Sequence, residues 1–173
     1  FNRYAGNYLD ESNEPLYPFG YGLSYTDFVY GGLQISSETL PKNGELTVSV
    51  TVTNKGNYDG YETVQLYLRD IYAEVARPMK ELKGFERIFL KSGESRDVKF
   101  VITKDDLKFY NSELHYVYEP GEFDVMVGPN SPFFLCIRIE HLHVKIRIRS
   151  YEIKDIILRI SEPVFPAFIP AFH

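Results

Sequence analysis

The sequence predicts an all-β fold, a sandwich of about seven short strands, on three observations. Apolar and polar residues alternate strictly in several stretches between residues 28 and 131, and this period of two places one face of each strand on a core. Turn signals built from Gly, Asn and Pro separate those stretches at short intervals. Fourteen Tyr and thirteen Phe give an aromatic share of 16%, and with the Val, Ile and Thr they favour strands over helices. At 173 residues the chain has room for one domain with extensions.

The elements follow in order. Residues 1 to 27 show neither period and read as a linker that ends in an aromatic loop. The first strand is Phe28-Val29-Tyr30 and Leu33-Gln34-Ile35, bent or bulged at Gly31-Gly32. Pro41-Lys42-Asn43-Gly44 signals a turn. Leu46 to Thr53 then alternates, with Leu46, Val48, Val50 and Val52 inward and the hydroxyl residues outward. Asn54-Lys55-Gly56-Asn57 turns the chain into Glu62 to Arg69, where Val64, Leu66 and Leu68 face in and Gln65, Tyr67 and Arg69 face water. A long connection spans Asp70 to Lys83, and Phe85 to Leu90 is the next strand. Lys91-Ser92-Gly93-Glu94 turns into a strand with Val98, Phe100 and Ile102 inward. Lys104 to Leu107 can start one helical turn, with Asp105 and Asp106 at the cap. Tyr116-Val117-Tyr118 and Phe123 to Val127 are expected to pair around Glu119-Pro120-Gly121-Glu122. Phe123, Val125 and Val127 complete the expected core.

Residues 132 to 173 contribute a closing strand, drawn from residues 133 to 148, and then an atypical extension. The apolar phase slips between Ile139 and Leu142, and the end from Pro163 to His173 is apolar, punctuated by proline and without a solvating face, as a non-native segment would be.

The most unusual stretch is Glu14 to Thr26, in which two prolines and two glycines set a stiff, irregular backbone and Tyr17, Phe19, Tyr21 and Tyr25 project from it. Such a loop is shaped to contact something. The formal net charge is −5, and because residues 132 to 173 carry six Lys/Arg against four Asp/Glu, the body is more acidic still, which argues against nucleic acid as a partner. The single Cys136 forms no internal disulfide and leaves the compartment open. No apolar run approaches the ~20 residues of a membrane-spanning helix, so no membrane partner is expected. Phe1-Asn2-Arg3-Tyr4 carries no initiator Met and no apolar stretch follows, so the chain reads as an internal or C-terminal piece whose signal peptide, if it has one, precedes it.

Four motifs in order resemble the C-terminal fibronectin type III-like domain of glycoside hydrolase family 3, the β-glucosidases and β-xylosidases. They are the aromatic loop, Tyr58-Asp59-Gly60-Tyr61-Glu62-Thr63-Val64-Gln65-Leu66-Tyr67-Leu68-Arg69-Asp70, Arg77-Pro78-Met79-Lys80-Glu81-Leu82-Lys83-Gly84-Phe85, and Glu119-Pro120-Gly121-Glu122-Phe123-Asp124-Val125-Met126-Val127-Gly128. The resemblance covers roughly residues 1 to 131, and beyond them the chain departs from the family. It implies an immunoglobulin-like sandwich at residues 28 to 131, preceded by the linker with its docking loop. It also implies a parent enzyme that hydrolyses β-linked gluco- or xylo-oligosaccharides with retention, using two carboxylates that lie upstream of this domain. By the same resemblance the chain alone lacks catalytic residues and needs no cofactor, and a periplasmic or secreted location is suggested. The expected partners are the upstream catalytic domains, then a homodimer partner, with oligosaccharide touching the domain peripherally at most.

The candidate sites each have a plainer reading. Tyr17, Phe19, Tyr21 and Tyr25 can form a sugar-binding rim, since an aromatic face packs on the apolar face of a pyranose, or they can pack against the neighbouring domains, which the balance favours. An independent carbohydrate-binding or adhesion module is the rival function, and a row of coplanar aromatics on one sheet face would support it. Asp59, Glu62, Asp70, Glu74, Glu81 and Glu86 offer no pair with a feature that would bury one member and raise its pKa, so they read as solvated or structural, with Arg77 pairing to Asp70 or Glu74. His141 and His143 share a strand face near Cys136 and Glu140, but no third ligand is fixed, so no metal is expected.

Overall fold

The computed structural model describes residues 15–40, 44–132 and 134–141, with the side chains of 138–141 left out. Two antiparallel sheets face each other across one core. The first holds β1 (Phe28–Ile35), β2 (Leu46–Asn54) and β5 (Ser95–Ile102) in the order β1-β2-β5. The second holds β3 (Gly60–Asp70), β4 (Glu81–Leu90), β8 (Gly121–Gly128) and β9 (Leu135–His141) in the order β4-β3-β8-β9. A single helical turn, α1 (Lys104–Leu107), and a two-stranded ribbon, β6 (Phe109–Tyr110) with β7 (Tyr116–Val117), lie in the crossing from β5 to β8. The sheets meet at both edges, β1 approaching β9 and β4 approaching β5.

The alternating strands form as expected. Every residue of β2 with the inward phase is buried, as are Val64, Leu66, Leu68, Val98, Ile102, Phe123, Val125 and Val127. Phe100 is half-buried against the same cluster, and Ile88, Leu90, Leu40 and Leu107 complete it. Burying a side chain of this size stabilises by about 1.5–3 kcal/mol, so these residues carry the fold. The bulge in β1 falls between Gly31 and Gln34, where the pairing with β2 shifts register and Gly32 takes φ +60°. The Lys91 to Glu94 turn closes with Glu94 N–H donating to Lys91 O at 2.9 Å and Lys91 N–H to Glu94 Oε2 at 2.9 Å.

Four expectations are corrected. Gln65 and Tyr67 do not face water: both are buried, because the linker folds back over the outer face of β3. The connection after β3 is shorter than expected, since β4 begins at Glu81 and Arg77 holds it there by pairing with both Asp70 and Glu81. Tyr116-Val117 pairs with Phe109-Tyr110, and β8 pairs instead with β3 and β9, because the turn at Asn111 closes a local ribbon before the chain reaches the sheet. The helical turn is capped by Thr103, whose N–H and hydroxyl both donate to Asp106 Oδ2 at 2.7 and 2.9 Å; Asp106 sits at the third helical position rather than at the cap. Most of the expected turn at Pro41 to Gly44, the His141/His143 pair and the extension after His141 lie outside the described residues or side chains.

Candidate docking surface

The linker is held to the sandwich at two points, and what lies between and around them is presented outward. At the first, Pro18 to Tyr21 form a turn closed by Tyr21 N–H donating to Pro18 O at 3.0 Å, with Gly20 at φ +80° in its third position. The Gln65 amide donates to Gly20 O at 3.3 Å and to Pro129 O at 2.6 Å, and its Oε1 accepts from the Tyr67 hydroxyl. Ser131 N–H donates to Phe19 O at 3.0 Å, and the Phe19 ring stands edge-on to Tyr67 at 6.4 Å. Gln65 thus spends its hydrogen-bonding capacity tying linker, β3 and the end of β8 together, which is why a polar residue tolerates burial here.

The second point is Asn54. Its side chain is fully buried and makes four hydrogen bonds: Oδ1 accepts from the Thr26 hydroxyl at 2.6 Å and from Gly56 N–H at 3.1 Å, while Nδ2 donates to Tyr58 O at 2.8 Å and Leu90 O at 3.2 Å. A Cβ on Gly56 would overlap the Thr26 hydroxyl, so glycine is what lets the linker approach this turn. Lys55 N–H closes the joint by donating to Asp27 O at 2.8 Å.

Between these anchors the linker follows β3 from Gln65 to Gly60. Tyr17, Phe19, Tyr21 and Tyr25 are all exposed, Tyr17 to 70% and Tyr25 to 97%, and Leu16 and Leu23 join them. Tyr17 and Tyr21 rest on each other at 5.5 Å. The four aromatics named from the sequence are therefore brought onto one linker with a fixed backbone.

Sequence reasoning missed the neighbouring part of this surface. Tyr61 and Phe89 pair across β3 and β4 with ring centroids 5.0 Å apart, the Arg87 guanidinium lies 4.2 Å over Tyr61, and Phe85 is exposed on the same outer face. The signal was present: Phe85, Arg87 and Phe89 alternate with the inward Ile88 and Leu90, so β4 is apolar on both faces. Part of this is ordinary cross-strand stabilisation. The two rings are tilted by 57°, which does not make a flat platform.

Of the acidic candidates, Asp59, Glu62, Asp70, Glu74 and Glu81 are engaged in structure. Arg77, nearly buried, bridges Asp70 at 2.8 Å and Glu81 at 2.7 Å and lies over the Phe109 ring. Burial works against ionisation of Glu81, but Lys83 and Arg77 outweigh it and hold its carboxyl below the usual range. Glu62, on the inward phase of β3, accepts from the Tyr30 hydroxyl at 2.6 Å; burial pushes its pKa up, with the Tyr30 bond opposing, and burial pushes the Tyr30 hydroxyl up as well. Asp59 accepts from Ser92 N–H, Glu74 from the Ser112 hydroxyl, and Glu86 is exposed. Among the described residues no group of three or more His, Cys, Asp or Glu is placed to hold a metal, and no helix is long and apolar enough to cross a membrane.

Comparison with known proteins matches this architecture. A family model for the fibronectin type III-like domain matches residues 62–131. A periplasmic β-glucosidase of Salmonella typhimurium is 49% identical over 130 residues, covering 75% of this chain and 17% of that protein. A putative β-xylosidase of Formosa agariphila is 48% identical over 128 residues, covering 74% and 17%. Among solved structures, a β-glucosidase of Erythrobacter marinus superimposes with a TM-score of 0.74 at 40% identity, over 79% of this chain and 18% of that one. A Listeria innocua β-glucosidase in complex with isofagomine gives 0.73 at 41%, over 81% and 19%. The chain thus spans under a fifth of the length of these relatives. With the sandwich, its linker and these matches in agreement, the chain belongs to the fibronectin type III-like domains of glycoside hydrolase family 3.

Proposed function

We propose that this chain is the accessory domain of a retaining β-glycosidase that acts on β-linked gluco- or xylo-oligosaccharides in the periplasm or outside the cell, and that it docks on the catalytic domains of the same polypeptide. The observation that carries the reading is the linker. Its backbone is locked at Gly20 and Thr26 while Tyr17, Tyr21, Leu23 and Tyr25 stay exposed, an arrangement that contributes little to the isolated sandwich and provides rigid apolar anchors for a neighbour. Periplasmic and glycosidic roles rest on the relatives alone. A free-standing glycan module is disfavoured because Tyr61 and Phe89 are tilted by 57° and make no flat platform.

The test separates fold from docking. Replacing Tyr17 and Tyr25 by Ala is expected to leave the unfolding of the 173-residue chain within about 0.5 kcal/mol of wild type, since exposed side chains away from special features contribute little. In the longer polypeptide carrying the chain, the same pair is expected to lower the temperature at which this domain unfolds. An unchanged temperature there would count against docking through the loop.

A further inference from the structure

The β6–β7 ribbon sets two phenols against each other at the surface. Tyr110 and Tyr116 are partners in register, and Asn111 N–H donates to His115 O at 3.0 Å. Residues 111 and 115 are thus the hydrogen-bonded pair, and the tyrosines are the next, non-hydrogen-bonded pair, where facing side chains stand closest. Their ring centroids are 4.9 Å apart and the rings are tilted by 39°. Both are open to solvent, Tyr110 to 64% and Tyr116 to 53%.

The backbone beneath them is fixed. Leu114 N–H donates to Asn111 O at 3.0 Å, and the Asn111 side-chain oxygen accepts from both Glu113 N–H and His115 N–H, which closes the turn. Phe109 is buried under the Arg77 guanidinium, and the Ser112 hydroxyl donates to Glu74 Oε1 at 2.7 Å, tying the turn to the connection between β3 and β4. Two groups held in this way react as an intramolecular pair, at an effective concentration far above that of a second molecule. Exposed rings reorient in picoseconds to nanoseconds, so the facing ring carbons meet many times within the life of a phenoxyl radical.

The rest of the chain leaves this pair as the favoured place for such a radical to couple. There is no Trp among the 173 residues to take the electron hole, and the single Cys136 is half-buried on β9. Tyr61 faces Phe89, which forms no phenoxyl, and the Tyr17 and Tyr21 rings lie further apart, at 5.5 Å.

We infer that Tyr110 and Tyr116 are a modification site, closed into a dityrosine bridge by a one-electron phenol oxidant, a haem peroxidase with hydrogen peroxide. Each phenol gives up one electron and one proton and becomes a phenoxyl radical. The two radicals couple by a bond between ring carbons ortho to the oxygens, and the hydrogens on those carbons shift to the oxygens, which restores both phenols. The chain loses two hydrogens in all, and one hydrogen peroxide is reduced to two waters. The bridge ties β6 to β7 covalently in a chain whose single Cys136 forms no internal disulfide.

Treating the 173-residue chain with a haem peroxidase and hydrogen peroxide tests the site. The expected product is a monomer with blue dityrosine fluorescence and a mass lower by two hydrogens. A glutamate-specific protease cuts at Glu113, between the two tyrosines, and should leave the flanking peptides joined. Tyr110→Phe and Tyr116→Phe, which keep the ring and its packing, should each abolish the fluorescence of the monomer. A product without dityrosine, fluorescence confined to covalent dimers, a bridge mapped to Tyr17 and Tyr21, or a monomer bridge that survives Tyr110→Phe would each overturn the inference.

Discussion

Asn54→Ala is the substitution from which the joint between linker and sandwich can be measured. The side chain is fully buried and serves four partners, two of which, the Thr26 hydroxyl and Leu90 O, are themselves buried. Gly56 N–H and Tyr58 O lie nearer solvent, where water can replace the amide. Leaving a buried polar group unpaired costs about 1–3 kcal/mol, so two of them put the expected destabilisation at about 3 kcal/mol. For a domain of this size that lowers the melting temperature by about 12–20 °C. Urea unfolding of the chain, followed by circular dichroism, reads it as a lower midpoint with an unchanged slope. Asn54→Asp sharpens the reading. The carboxylate keeps the acceptor for Thr26 and Gly56 but donates nothing to Tyr58 O or Leu90 O and buries a charge, so at neutral pH it should destabilise at least as much as Ala and recover in part on acidification. A loss under about 1 kcal/mol for Asn54→Ala would refute the reasoning, since it would mean that water reaches the Thr26 hydroxyl and Leu90 O freely.

Two further outcomes are expected. Leu66, 2% exposed at the centre of β3, should cost about 2–5 kcal/mol when cut to Ala, through lost transfer energy and the cavity left behind, as read by the same urea titration. Burial raises the Glu62 pKa above its ordinary 4.5, so the folded state holds that proton more tightly than the unfolded chain. Its contribution to stability is therefore present below 4.5 and lost as pH rises through the higher folded value. Glu81, held low despite its burial by Lys83 and Arg77, contributes in the opposite sense, above 4.5 and lost as pH falls. Stability should rise as pH drops through the raised Glu62 pKa and fall again below 4.5 as Glu81 is protonated, and Glu62→Gln should abolish the rise only; a rise that survives in Glu62→Gln belongs to another group.

The sequence by itself determined the sheet elements and most of the core. Strict alternation in Leu46 to Thr53 and in Glu62 to Leu68 leaves one way to bury an apolar face, and a one-residue slip would expose all of it. It also determined that Tyr17, Phe19, Tyr21 and Tyr25 belong to a shaped loop, because two prolines and two glycines leave a stiff backbone with little regular structure. Where that loop lies was decided only in three dimensions. Gln65 and Tyr67 follow the polar phase of β3 and read as solvated, yet they are covered because Gly20 and Pro129, 45 and 64 residues from Gln65 in sequence, return to it. Asn54 reads as a turn residue and proves to be the fully satisfied centre of the joint. Tyr116-Val117 pairs with Phe109-Tyr110 rather than with β8 because strand pairing is a choice among partners that periodicity does not rank. Hydrophobic period reports which face of an element is buried; it carries no information on what arrives from elsewhere in the chain to cover the other face, and on this domain that second covering fixes the aromatic loop in place.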